Sequence, residues 1–140
     1  MNTNTTTENL GAADSLPLFD TAAVFDSIDR CANLQLDRLD FGVIGFDRMG
    51  NVCRYNTTES KLAGLAESTV LGHHLFDVVA PCMNNFMVAH QFEDALEHSR
   101  NLDAVIDYVL TFRMRPQRVK LRLLAQQGIE MRYILVQRNL

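Results

Sequence analysis

The chain lacks any apolar run near the roughly 20 residues that a membrane span needs, and its N-terminus lacks the basic-then-apolar order of a signal peptide. The expectation is a soluble, cytoplasmic protein with no membrane partner. It also lacks an excess of positive charge: 13 Lys and Arg stand against 17 Asp and Glu, a net of −4, which leaves no electrostatic footprint for nucleic acid. Cysteine is scarce, with Cys31, Cys53 and Cys82 forming an odd, widely spaced set without a CxxC pair, which suits a reducing compartment and excludes a disulfide framework. No glycine-rich phosphate loop occurs. His73 and His74 are adjacent, so a regular element points them apart, and no cysteine or carboxylate cluster stands near to complete a metal site.

What is present is one domain's worth of chain, 140 residues with 47% apolar, enough for a single core. Residues 1–17, rich in Thr and Asn and without Lys or Arg, read as a mobile tail. Over 18–38, Leu18, Phe19, Ala22, Ala23, Val24, Phe25 and Ile28 have helical spacing, and Asp20 or Thr21 is able to cap; this predicts an N-terminal cap of one or two short helices. The remainder, 39–140, is the main domain. Phe41, Val43, Ile44 and Phe46 make a short strand, Asp47-Arg48-Met49-Gly50-Asn51 a hairpin turn, and Val52 to Tyr55 the returning strand. Short helices follow to Cys82, then one longer helix from Met83 to about Arg100 with Val88, Phe92, Ala95 and Leu96 on one face. The period then switches to two: Ala104 to Met114, Arg118 to Ala125 and Glu130 to Arg138 predict three strands of an antiparallel meander. Two strands from the front and three from the back give an α+β, PAS-like fold. Its single five- to six-stranded antiparallel sheet carries short helices on one face, one long connecting helix and the N-terminal cap.

Two local features carry chemistry. Cys82, in Val78-Val79-Ala80-Pro81-Cys82, precedes the predicted long helix; there the positive end of the backbone dipole favours the thiolate, making the sulfur a nucleophile or attachment point. Its alternative role is that of a small buried apolar residue, as expected of Cys31 and Cys53. A cysteine hydrolase would need a histidine in reach, and His90 lies two turns along the helix pointing elsewhere, so no enzyme is expected. Asn56 and Glu59 have the spacing of a capping box, in which Glu59 would be exposed and merely close a helix end; a functional role for the acid has equal weight.

From Leu39 to Arg138 the chain resembles the photoactive yellow protein family, bacterial blue-light sensors of PAS fold. The resemblance rests on Phe41-Gly42, Gly50-Asn51, Tyr55-Asn56-x-x-Glu59, Val79-Ala80-Pro81-Cys82, Tyr108 through Met114 and Val136-Gln137-Arg138, with one small insertion after the long helix. It implies a p-coumaric acid (4-hydroxycinnamic acid) chromophore held as a thioester on Cys82, its phenolic oxygen bonded by the Tyr55 hydroxyl and the Glu59 carboxyl. Leu110 and Phe112 would line the pocket from the sheet. Met114 matches a family methionine that helps dark recovery, and equally reads as core filler. A carboxyl in apolar surroundings has a raised pKa, so a protonated Glu59 can donate to a phenolate. Light would isomerise the chromophore, Glu59 would give up its proton, and the cap, taken to be held by a modest apolar contact, would be released toward a downstream signalling protein.

The chain departs from the family at two positions. Ala63 stands where a supporting threonine is usual, and Leu65 where an arginine shields the chromophore. Both losses weaken support for the anion and predict a phenolate pKa nearer neutral. The competing reading is a PAS-type interaction or small-ligand sensor module without pigment. In either case a monomer or weak homodimer is expected.

Overall fold

The computed structural model describes residues 16–111 and 115–138. Before the sheet come α1 (Val24–Arg30) and α2 (Asn33–Leu36). Strands β1 (Gly42–Phe46) and β2 (Val52–Tyr55) then pair as the expected antiparallel hairpin. In its turn Asp47 Oδ1 accepts from the backbone N–H groups of Met49 and Asn51. Gly50 adopts a φ of 91°, and a side chain there would also strike the His74 ring.

After β2 the chain covers one face of the sheet with α3 (Thr57–Ala63), α4 (Glu67–Val70), a π-helical turn (Leu75–Val79), a 3-10 turn (Pro81–Met83) and α5 (Ala89–Glu97). The meander β3 (Leu102–Leu110), β4 (Gln117–Ala125) and β5 (Arg132–Arg138) completes one open antiparallel sheet in the order β2-β1-β5-β4-β3. Strand β5 closes the sheet by pairing with β1 on one side and β4 on the other. It is covered on both faces, so its side chains are buried without the alternation of the edge strand β3.

The sheet separates two apolar clusters. Ile44, Phe46, Leu121, Leu123, Ile134 and Val136 face the helices, with Phe76 and Phe92 edge-on to Phe46 at centroid distances of 5.6 and 4.9 Å. Val43, Leu124, Tyr133 and Leu135 face the opposite way and carry the N-terminal cap through Phe19, Val24, Phe25, Ile28 and Leu36.

Several expectations are corrected. The long helix begins at Ala89, not near Met83, because Asn85 Oδ1 accepts from the backbone N–H of Met87 and Val88 and diverts the chain from helical pairing. Helix α1 is entered through Ala23 in a left-handed conformation rather than capped by Asp20 or Thr21; Thr21 Oγ1 instead accepts from Leu18 N–H. Pro17 is buried and Leu16 packs on the cap cluster, so both belong to the cap; residues 1–15 of the expected tail lie outside the described residues. Cys31 is buried as expected but Cys53 is exposed. The cap is held by more than a modest apolar contact: Arg122 Nη1 donates to the carbonyls of Phe19 and Thr21 (2.8 Å each), and Tyr133 Oη donates to Asp29 Oδ1 (2.5 Å). No helix among the described residues is long and apolar enough to cross a membrane.

Candidate functional site

Helix α3 owes its position to Asn56. Its Oδ1 accepts from Glu59 N–H (3.0 Å) and Val43 N–H (2.9 Å), while its Nδ2 donates to the carbonyls of Leu36 (2.8 Å) and Phe41 (3.0 Å). Cap, β1 and α3 are thereby joined by one buried amide whose hydrogen-bonding capacity is filled. Gly64, with φ of 74°, ends the helix. The helix turns Glu59 and Ala63 inward, leaving them 0% and 4% exposed. The capping box is thus corrected: Asn56 caps, but Glu59 is buried and its carboxyl does not return to the helix end. Gly42 makes room for it, since a Cβ at that position would overlap Glu59 Oε1.

The Glu59 carboxyl meets Arg138 at the end of β5 in a two-pronged pair, Nη1 to Oε1 at 2.7 Å and Nη2 to Oε2 at 3.1 Å, with both side chains buried. Arg138 Nε donates in turn to Gln117 Oε1 (2.9 Å). This fork-to-fork geometry is that of a carboxylate with a guanidinium. The sequence reading placed no cation beside Glu59, and Arg138 supplies one. Burial pushes the Glu59 carboxyl above its ordinary range, and Arg138, by hydrogen bond and charge, pulls the other way.

Tyr55, the last residue of β2, is 5% exposed, and its buried hydroxyl finds no hydrogen-bond partner among the described residues. Burial and then the neighbouring Glu59 charge push its pKa up, with Arg138 opposing. A buried donor left unmatched costs about 1–3 kcal/mol, so its retention calls for an acceptor.

Cys82 is half-buried within the 3-10 turn. The helix-terminus argument therefore does not apply to it, because α5 starts only at Ala89. Its backbone is pinned instead: Tyr108 Oη donates to Cys82 O (2.5 Å), and Asn85 Nδ2 donates to Cys82 O (3.2 Å) and to Tyr108 Oη (2.6 Å). Tyr108 and Asn85 are positioning residues that the sequence reading did not single out. An asparagine three residues past the cysteine and a tyrosine on the inward face of β3 were the available signals.

Tyr55, Leu65, Cys82 and Leu110 belong to one apolar cluster; Leu110 is fully buried and Leu65 partly so. Ala63 is buried in α3 but is a member of neither apolar cluster. Phe112 and Met114 lie outside the described residues. The arrangement provides a thiol on a fixed turn, a hydroxyl donor lacking an acceptor, and an acid paired with a buried cation.

No protein-family model matches the chain. Photoactive yellow protein from Rhodothalassium salexigens is 32% identical over 89 residues, 64% of this chain and 70% of that protein. The structure of the photoactive yellow protein domain from the sensor histidine kinase Ppr of Rhodospirillum centenum is 34% identical, with a TM-score of 0.74 over 81% of this chain and 98% of that one. The PAS domain of an HTR-like protein from Haloarcula marismortui shares the fold at 17% identity and a TM-score of 0.57, covering 76% of this chain and 93% of that domain. With the PAS sheet and a relative above 30% identity along most of its length, the chain belongs to the photoactive yellow protein family.

Proposed function

We propose that this chain is a blue-light photoreceptor that carries p-coumaric acid as a thioester on Cys82 and has no enzymatic activity. The observation that carries this reading is the unmatched Tyr55 hydroxyl: it is buried, it is a donor, and it shares an apolar cluster with the Cys82 side chain. Bound there, p-coumaric acid would supply visible absorption by its phenolate and a light-isomerisable double bond.

The protein's own groups define the rest. Cys82 Sγ would hold the acyl end, on a turn fixed by Tyr108 and Asn85. Tyr55 Oη would donate to the anionic oxygen. Glu59 and that oxygen would then be two anions facing one buried cation, Arg138, and like charges in a dry site favour protonation of one of them. Glu59 therefore holds a proton at its carboxyl while the second anion lies beside it. As that oxygen moved away, Glu59 would pass its proton to it and close onto Arg138 as a carboxylate. This offsets the several kcal/mol that an uncompensated buried carboxylate would cost.

A shift of Glu59 onto Arg138 pulls on α3, and Asn56 passes the pull to the Leu36 carbonyl of the cap. The cap then loosens and exposes a face to a downstream signalling protein. Arg138 partly replaces the cation missing at Leu65, while no hydroxyl replaces the one missing at Ala63. The phenolate pKa remains nearer neutral than is usual for the family.

A pigment-free PAS sensor is the second reading, favoured by the Glu59–Arg138 pair itself, which engages both carboxyl oxygens without a ligand. The deciding experiment mixes the apoprotein with an activated ester of p-coumaric acid. A visible band that Cys82→Ala abolishes is expected; no band with the wild-type chain would favour the second reading.

A further inference from the structure

Strand β5 begins, as it ends, with a buried arginine. Arg132 and Arg138 stand six residues apart, about 20 Å along an extended strand, and their surroundings differ. Arg138 has Glu59; Arg132 forms no ion pair among the described residues, although it is only 6% exposed. Its Nη2 donates to the Phe92 carbonyl (2.7 Å) and its guanidinium lies 5.4 Å from the Phe92 ring centroid, which leaves the other N–H groups without a protein acceptor among those described. Burial, and then the charge of Arg48, push this guanidinium down from its ordinary value.

Arg132 lines a cavity of about 190 Å³ whose walls also include Arg48 from the β1–β2 turn, Ser99 and Arg100 from the end of α5, and Gln127 and Gly128 from the β4–β5 turn. Three arginines contribute to its lining. Arg48 has Glu130 at 3.6 Å and Arg100 has Asp94, but all four of these side chains are substantially exposed, and such pairs hold little energy in water. The carbonyls at the C-terminal end of α5 would repel an anion, yet those of Asp94, Ala95 and Leu96 are already taken by the backbone N–H groups of His98, Arg100 and Ser99. Counting the two acids against the three arginines leaves one uncompensated positive charge, on the most buried member.

We infer that the cavity between the end of α5 and the β1–β2 and β4–β5 turns binds a small phosphate-class oxyanion, clasped by Arg132 with Arg48 and Arg100 at its rim. Guanidinium forks match tetrahedral oxyanions in geometry as well as charge, and a partly enclosed site strengthens the attraction by limiting screening. The ligand is either inorganic phosphate or the terminal phosphate of a small monoester. The site is separate from Cys82, Tyr55 and Glu59, so it does not depend on the pigment.

The experiment is a titration of the isotope-labelled full chain, followed by NMR, with potassium phosphate, glycerol phosphate or potassium chloride at matched ionic strength. Saturable shifts at Ser99, Arg100, Gln127 and Gly128 are expected with phosphate and absent with chloride. Tighter saturation by glycerol phosphate would identify a monoester as the preferred source, and tighter saturation by inorganic phosphate the free ion. Arg132→Gln should abolish saturation. Because that change also removes the bond to Phe92 and could unfold the chain, the exposed Arg48→Ala and Arg100→Ala are the second arm, each expected to weaken binding at least threefold. Shifts equal in phosphate and chloride, or unaffected in the Arg48→Ala/Arg100→Ala double variant, would overturn the inference.

Discussion

Tyr55 shows how a residue can be kept against its own contribution to stability. Since its hydroxyl is buried without a partner, Tyr55→Phe should stabilise the apoprotein by about 1 kcal/mol in urea unfolding, while weakening any pigment band that depends on its donated hydrogen bond. Glu59 and Arg138 behave oppositely. Glu59→Gln and Arg138→Gln should each cost about 3 kcal/mol, because each leaves a buried partner uncompensated, and the double variant should cost clearly less than the sum. The pH dependence has a definite sign. Burial raises the folded-state pKa of Glu59 above its ordinary 4.5, so the folded chain holds that proton more tightly than the unfolded one. The stabilisation is complete below the unfolded value and is lost as pH rises through the folded one; Glu59→Gln should flatten this slope in a series of unfolding curves. Of this group, Tyr55, Glu59 and Cys82 were singled out by the family resemblance, since local sequence left Glu59 equally a plain helix-cap residue and Cys82 readable as an apolar filler. Arg138 as a partner was not, since 79 residues separate it from Glu59 and only the closure of β5 onto β1 brings them together.

Strand β3 was the most legible element, because its two-residue alternation depends only on which face of a strand meets the core. The hairpin was legible from Asp47, Gly50 and Asn51, whose side-chain acceptor and backbone freedom act within five residues. Helix boundaries were less so. The start of α5 is decided by the Asn85 side chain competing for backbone N–H groups, and the entry to α1 by a left-handed Ala23 that no propensity would have chosen. Helix α3 illustrates how much one capping residue carries: Asn56→Ala would remove four hydrogen bonds at once, two of them reaching Leu36 and Val43. A loss of about 2–4 kcal/mol is expected by chemical denaturation, more than the ~1 kcal/mol typical of a helix cap, because buried backbone groups would be left unpaired.

At the scale of the molecule, the cap is bound to the sheet by a buried apolar cluster and by Arg122, which holds the Phe19 and Thr21 carbonyls while paired with Asp103. Arg122→Ala should raise hydrogen exchange over residues 18–38 in the dark. In the pigmented protein, illumination should raise it over the same span; unchanged exchange there would rule out the cap as the output. The order of strands makes such coupling short-ranged. Val43 and Ile44, Leu123 and Leu124, and Ile134 and Leu135 are neighbours in the chain that look into different cores. The sheet is therefore a diaphragm one backbone thick: extra bulk pressed against Ile134 on the helical side has no place to go except into the floor on which the cap rests.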